Sequence, residues 1–255
     1  MLTLWPQQAG CLIIGHRGAM GYAPENTLVS FEEGIRRGAD LLEMDVQLSK
    51  DGEVVVMHDT SVERTTDGEG HLRDLPWRKI KTLDAGGWYN PEFADERVPH
   101  LSGVIDRFRN RKTARRHPVS LVVELKTVKG SGGSLADAVV ALLHKEHFLE
   151  RVIVISFDAV ALQEVRAAHK SLPIGLLYSD GADEARIEQA LAMDAHALFP
   201  RKTCVTAKGV AAAHKAGLAL GTWTANTKNE TKRLLTCGTD AIATNYPDRL
   251  RALLG

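Results

Sequence analysis

The stretch Cys11-Leu12-Ile13-Ile14-Gly15-His16-Arg17-Gly18 runs from apolar residues straight into a histidine and an arginine, with glycine on either side of the pair. Its length and composition are those of a buried strand, and its polar residues stand where the strand stops. The same pattern returns downstream. Leu41-Leu42-Glu43-Met44-Asp45-Val46 sets two acids into an apolar strand. Val54-Val55-Val56-Met57-His58 ends on a second histidine, and Leu121-Val122-Val123-Glu124-Leu125-Lys126 ends on an acid and a base.

Outward from these runs, short β-type segments alternate with helical patterns. A helix is expected from about Pro24 to Arg37 with Gly38 as its C-cap, then a second strand at 40–46. Ser49-Lys50-Asp51-Gly52 is a turn signal, and 53–58 reads as a returning strand. Residues 60–100 break the rhythm. They are polar, hold Gly68, Gly70, Gly86 and Gly87, and carry Trp77, Trp88 and Tyr89, so they read as a small inserted lobe. From 101 the alternation resumes, with strands expected at 119–125, 152–156, 173–178, 195–199, 218–223 and 240–244 and a helix after each. Lys129-Gly130-Ser131-Gly132-Gly133-Ser134 has the composition of a flexible loop. With 53–58 taken as a hairpin partner, eight strand–helix units remain. The expected fold is a (β/α)8 TIM barrel, residues 1–255 forming one domain with a small insertion after the second strand. A doubly wound open sheet is the alternative, but no Gly-x-Gly-x-x-Gly follows strand one.

Bulk properties narrow the function classes. The 255 residues are 44% apolar, as in an ordinary globular protein, and carry no net formal charge. No global field draws the chain to nucleic acid or anionic lipid, so any anion binding must come from local charges. Cys11, Cys204 and Cys237 are far apart and lack metal-ligand spacing; they read as reduced thiols. No signal-peptide pattern and no apolar run approaching the roughly 18 residues of a membrane span is visible. A soluble, cytoplasmic protein without stable membrane association is expected.

The strand-end residues carry the chemistry. Side chains alternate across a strand, so Glu43 and Asp45 point the same way, about 6–7 Å apart along the backbone. Two carboxylates that close repel unless a cation lies between them, and oxygen ligands select Mg²⁺ or Ca²⁺. Glu124 and Lys126 repeat the spacing: alone they would be an ion pair, whereas beside the first two acids Glu124 becomes a third ligand and Lys126 a phosphate contact. His16 and His58 are the candidate acid–base pair, since imidazole titrates near neutrality; either alone would more often be structural or a surface residue, but two at strand ends near clustered carboxylates point to catalysis. Asp59 either orients an imidazole or caps a turn. Arg17 offers a planar fork to phosphate oxygens. Trp223 is either a core aromatic or an apolar wall for a substrate. One divalent ion among three carboxylates leaves a single negative charge, which Arg17 and Lys126 convert to a single positive one, matching a phosphodiester.

His16-Arg17-Gly18, Pro24-Glu25-Asn26-Thr27, Phe31, Gly38-Ala39-Asp40, Glu43-Met44-Asp45-Val46, Asp51-Gly52, His58-Asp59, Arg64-Thr65-Thr66, Glu124-Leu125-Lys126 and Trp223-Thr224 form an ordered set. In this set the chain resembles the glycerophosphodiester phosphodiesterase family over nearly its full length. The resemblance implies a (β/α)8 barrel with an insertion after the second strand. It also implies hydrolysis of sn-glycero-3-phosphoalcohols, small-molecule glycerophosphodiesters, to sn-glycerol 3-phosphate and an alcohol, with one divalent cation. On the matching positions, His16 and His58 would be the acid–base pair and Glu43, Asp45 and Glu124 the metal ligands. Arg17 and Lys126 would hold phosphate, and Trp223 would pack near glycerol. Two positions depart from the pattern: Asn245 stands where Asp is usual, and His100 where Thr is common. Both are expected to lie away from the core of the site. The competing functions are a phospholipase C- or D-like phosphodiesterase on the same barrel and a non-catalytic phosphodiester-binding protein.

Overall fold

In a computed structural model, which describes residues 10–127, 132–180 and 183–255, the first strand β1 (Leu12–Gly15) lies between the ends of the chain's own sheet. It pairs in parallel with the second strand β2 (Leu41–Leu48), Ile14 opposite Leu41, and with the last strand β9 (Ala241–Thr244), Gly15 opposite Thr244. Between them run β4 (Ser120–Leu125), β5 (Val152–Ser156), β6 (Ile174–Tyr178), β7 (Ala197–Pro200) and β8 (Ala219–Thr222), each parallel to its neighbours. The eight parallel strands therefore close into a ring. β3 (Val54–Val56) pairs antiparallel with β2 outside the ring, Val46 opposite Val56. The eight-unit (β/α)8 reading holds, with the returning strand shorter than its sequence pattern.

Alternation sorts the side chains. Leu12, Ile14, Leu41, Val122, Ile153, Ile155, Leu177, Ala197, Phe199, Ala241 and Ala243 pack into one cluster inside the barrel. Their strand neighbours Ile13, Leu42, Met44, Val123, Val154, Leu176, Leu198, Leu220 and Ile242 join the larger core under the helices. The interior is tight. A Cβ on Gly175 or Gly221 would come within 2.7 or 2.4 Å of the Phe199 ring, so the two glycines make room for one large side chain on the strand between them.

The helices are α1 (Leu28–Arg36), α2 (Trp77–Ile80), α3 (Leu101–Phe108), α4 (Gly132–Lys145), α5 (Ala159–Ala168), α6 (Asp183–Ala192), α7 (Ala207–Lys215), α8 (Lys228–Cys237) and α9 (Pro247–Leu254). None of the described helices is long and apolar enough to cross a membrane. α1 starts four residues later than its sequence pattern. Thr27 caps it, its side chain accepting from the Ser30 N–H, and Asn26 sits at φ 58° in the left-handed region, which a right-handed helix cannot include. Gly38, at φ 91°, follows the Arg37 cap and donates to Ile35 O. Of the glycine-rich loop expected at 129–134, residues 129–131 lie outside the described residues and 132–134 belong to α4. Residues 1–9 also lie outside them.

After β3 the chain forms the segment expected as an insertion. It contains α2, and its Met57, Val62, Leu72, Ile80, Ala85 and Val98 form a satellite cluster with Val55 of β3. Gln47, buried on β2, pins its entry by donating to the carbonyls of Met57, His58 and Asp59 at 3.0, 3.1 and 2.7 Å. The cysteines form no disulfide.

Phe31 on α1 is fully buried and meets Phe108 of α3 edge-on, with ring centroids 6.3 Å apart. Phe31→Ala should lower unfolding free energy by about 3–5 kcal/mol through lost burial and the cavity left behind. Urea denaturation measures it; a loss below about 1 kcal/mol would show that this contact does not anchor α1.

Candidate active site

Alternation carries polar residues to the C-terminal mouth of the barrel. Glu43 and Asp45 continue the inward phase of Leu41; Glu124 and Lys126 continue that of Val122; Trp223 and Asn245 follow Ala219 and Ala243 in phase. His16, Arg17, Glu43, His58, Glu124 and Lys126 form one wall of a cavity of about 350 Å³. Ile155, Phe157, Leu177, Phe199 and Trp223 form the other. Asp45 lies behind the charged wall, its side chain only 1% exposed. All eight residues singled out from the sequence thus converge on one end of the barrel.

Glu43, Asp45 and Glu124 are buried, and each offers a carboxylate oxygen within 4.8 Å of the others. Burial and the neighbouring Asp45 push the carboxyl of Glu124 up to about 7 and that of Glu43 well above the ordinary range. Burial raises Asp45 too, but Arg17 and Lys126 outweigh it and hold this carboxyl near 2. Lys126 Nζ lies 2.6 Å from Glu124 Oε1 and 3.2 Å from Asp45 Oδ1. The second contact lacks hydrogen-bond geometry, so Asp45 Oδ1 is buried without a hydrogen-bond donor. An orphaned buried oxygen beside two carboxyl groups pushed toward neutrality is a donor set that fits a hard divalent cation.

Arg17 is built into this charge system. It sits at φ 49°, and its backbone N–H donates to Glu43 Oε2 at 2.8 Å. Its Nε lies 3.0 Å from Asp45 Oδ2, and its Nη1 donates to Glu25 Oε1 at 2.9 Å. Its fork is thus partly engaged by the protein, not wholly open to a phosphate. Glu25 takes Arg64 on both oxygens, at 3.0 and 2.8 Å. Arg64 continues to Asp59, and Asp59 Oδ1 lies 2.6 Å from His58 Nδ1. Of the two roles open to Asp59, orienting the imidazole is the one observed. Asn26 holds Asp45 from the side, donating through Nδ2 to Oδ2 at 2.9 Å.

Glu25, Asp59 and Arg64 thus join the charges at the strand ends. With every carboxyl ionised, five carboxylates face three cations among the described residues of this network, a deficit of two charges that one divalent ion would cancel. Glu25, Asn26 and Arg64 were visible only as parts of the resembling motif; an adjacent Glu-Asn pair just ahead of the capping Thr27 was the available signal.

The two imidazoles differ in their partners. His16 Nδ1 meets the amide of Asn245, Oδ1 at 2.8 Å. This overturns the expectation that Asn245 lies away from the core; its in-phase position after Ala241 and Ala243 was the sequence signal. His100 is indeed elsewhere, capping α3 and bonding Glu53. Burial and the adjacent Arg17 guanidinium lower His16 to about 4. His58 is lowered as well, by burial against the pull of Asp45. On the apolar wall Trp223 Nε1 donates to Phe199 O at 2.9 Å, fixing a ring that Phe157 meets edge-on at 5.4 Å. Phe157 is 48% exposed at the rim.

The glycerophosphoryl diester phosphodiesterase family profile matches residues 16–249. A glycerophosphodiester phosphodiesterase of Caldanaerobacter subterraneus is 36% identical over 94% of this chain and 96% of its own. One of Bacillus subtilis is 32% identical over 93% of this chain and 84% of its own. The structure of an Oleispira antarctica phosphodiesterase in complex with the product sn-glycerol-3-phosphate superposes with a TM-score of 0.87 at 30% identity, covering 95% of this chain and 96% of that one. A glycerophosphodiester phosphodiesterase of Agrobacterium tumefaciens superposes with a TM-score of 0.81 at 26% identity, over 95% and 99% of the two chains. With the profile spanning nearly the whole barrel and relatives of this identity along its length, the chain belongs to the glycerophosphoryl diester phosphodiesterase family.

Proposed function

We propose that this protein is a metal-dependent glycerophosphodiester phosphodiesterase that releases sn-glycerol 3-phosphate and an alcohol. The observation that carries the reading is the convergence of a buried three-carboxylate cluster and two histidines on one 350 Å³ cavity with an apolar far wall. A cavity of that volume suits a small diester. The relative solved with sn-glycerol-3-phosphate supports the same product here. The unpaired cysteines support a cytoplasmic setting.

In this reading Glu43, Asp45 and Glu124 hold one Mg²⁺ or Ca²⁺. When bound, the ion supplies Lewis-acid polarisation of the phosphoryl group and a template for the diester. Arg17 and Lys126 add positive charge beside the phosphate oxygens. Trp223 and the apolar wall hold the carbon skeleton. One histidine takes the proton of the nucleophile, which is water or the glycerol 2-hydroxyl, and the other protonates the leaving alcohol. With the ion bound and every carboxyl ionised the network is neutral, and one protonated histidine offsets the single negative charge of the diester.

Incubation with glycerophosphocholine or glycerophosphoethanolamine should release glycerol 3-phosphate, read through a coupled dehydrogenase. EDTA should abolish release, and the ion that restores it is the native one. No release with either ion would remove this reaction from the protein. His16→Ala and His58→Ala should each lower kcat roughly 10²–10⁴-fold with little change in KM; normal turnover in either would exclude that histidine.

Because Glu124 titrates near 7 and Glu43 above the ordinary range, some of these carboxyls carry protons at neutral pH that a cation must displace. Ion affinity should therefore tighten as pH rises from 6 to 8, with proton release visible by calorimetry in buffers of different ionisation enthalpy. An affinity flat across that range would contradict the assignment of these ligands.

A further inference from the structure

His16 and Asn245 are 229 positions apart and touch because the barrel closes between them. Gly15 lies opposite Thr244 across β1 and β9, and the His16 N–H donates to Thr244 O at 3.0 Å, so the next residues on the two strands face each other in the inward phase. The Asn245 main chain is held on both sides. Its N–H donates to Asn226 Oδ1 at 2.9 Å, and its carbonyl accepts from Gly21 N–H at 3.2 Å. Asn226 is itself fixed, its N–H donating to Glu230 Oε2 at 3.1 Å, the same carboxylate that completes the capping box of α8. A helix cap therefore steadies the amide that meets the imidazole.

The chemistry of that meeting is specific. An amide oxygen only accepts a hydrogen bond. The 2.8 Å contact between Asn245 Oδ1 and His16 Nδ1 is a hydrogen bond only when the ring proton sits on Nδ1. The nitrogen left for the cavity that His16 lines is then Nε2, with a bare lone pair. His58 has a different partner: its Nδ1 lies 2.6 Å from the carboxylate of Asp59, where Asn245 offers His16 a neutral amide.

We propose that Asn245 is a positioning residue that locks His16 in the Nδ1–H tautomer and so makes Nε2 of His16 the proton acceptor of the reaction. The O–H proton of the nucleophile passes to Nε2 while its oxygen bonds to phosphorus. The bond from phosphorus to the alcohol oxygen breaks, and that oxygen takes its proton from His58. The catalytic consequence rests on the hydrolytic reading above; the tautomer does not.

Long-range ¹H–¹⁵N spectra of protein labelled at its ten histidines report which ring nitrogen carries the proton. His16 is identified by the signal lost in His16→Gln. The expected result at pH 8 is Nδ1–H in the wild type and in Asn245→Asp, which keeps an acceptor in place, and a mixture of tautomers in Asn245→Ala. With glycerophosphocholine, Asn245→Ala should lose on the order of 10²-fold in kcat with KM within about twofold, and Asn245→Asp should recover most of that loss. A wild-type ring protonated on Nε2, or an Asn245→Ala protein whose tautomer is unchanged, overturns the proposal. A mixed tautomer in Asn245→Ala with unaltered kcat overturns its catalytic half. Should Asn245→Ala fail to fold, the wild-type tautomer and the isosteric Asn245→Asp decide the matter. A wild-type protein with the expected tautomer and no hydrolysis counts against the proposed reaction, not against this one.

Discussion

A closed parallel barrel turns every second strand residue into an interior just wide enough for side chains, and this constraint orders the whole molecule. Deep in the barrel, away from water, the inward residues must be apolar, and they are: Leu12, Ile14, Leu41, Val122 and Ile153 fill it. Toward the C-terminal ends the same phase opens on a cavity, and there it delivers Glu43, Asp45, Glu124, Lys126, Trp223 and Asn245. The polar site costs the core little because it occupies the part of each strand that does not have to stay dry.

Charge pairing is the second requirement. Removing one partner of a buried ion pair costs about 3–5 kcal/mol, because the other charge is left stranded. Asp45 is buried against Arg17, Lys126 and Asn26, and Glu25 against Arg17 and Arg64. The chain from His58 through Asp59, Arg64, Glu25 and Arg17 to Asp45 links an imidazole on the segment after β3 to an acid on β2. It joins the added segment to the barrel through charge as well as through the carbonyls that Gln47 gathers.

Several residues of this network sit in irregular backbone. Arg17 and Asn26 adopt left-handed φ, uncommon for residues with a Cβ, and each is held there by what its polar groups reach. α1 starts late for the same reason: the residues that would have formed its first turn are drawn into the site.

By itself the sequence determined the eight strand–helix units, the shared phase of Glu43 and Asp45, and the placing of His16 and His58 at the ends of apolar strands. These depend on alternation with a period of two and on turn chemistry, which act between near neighbours. The start of α1 was misplaced because local propensity favours helix at residues whose side chains are claimed from afar. Tertiary structure alone decided who partners whom. Barrel closure sets β1 beside β9 and brings Asn245 onto His16, and the segment after β3 folds back to bring Arg64 onto Glu25. The first contact follows from strand register around a ring and the second from a fold-back onto the barrel, and no short window of sequence contains either.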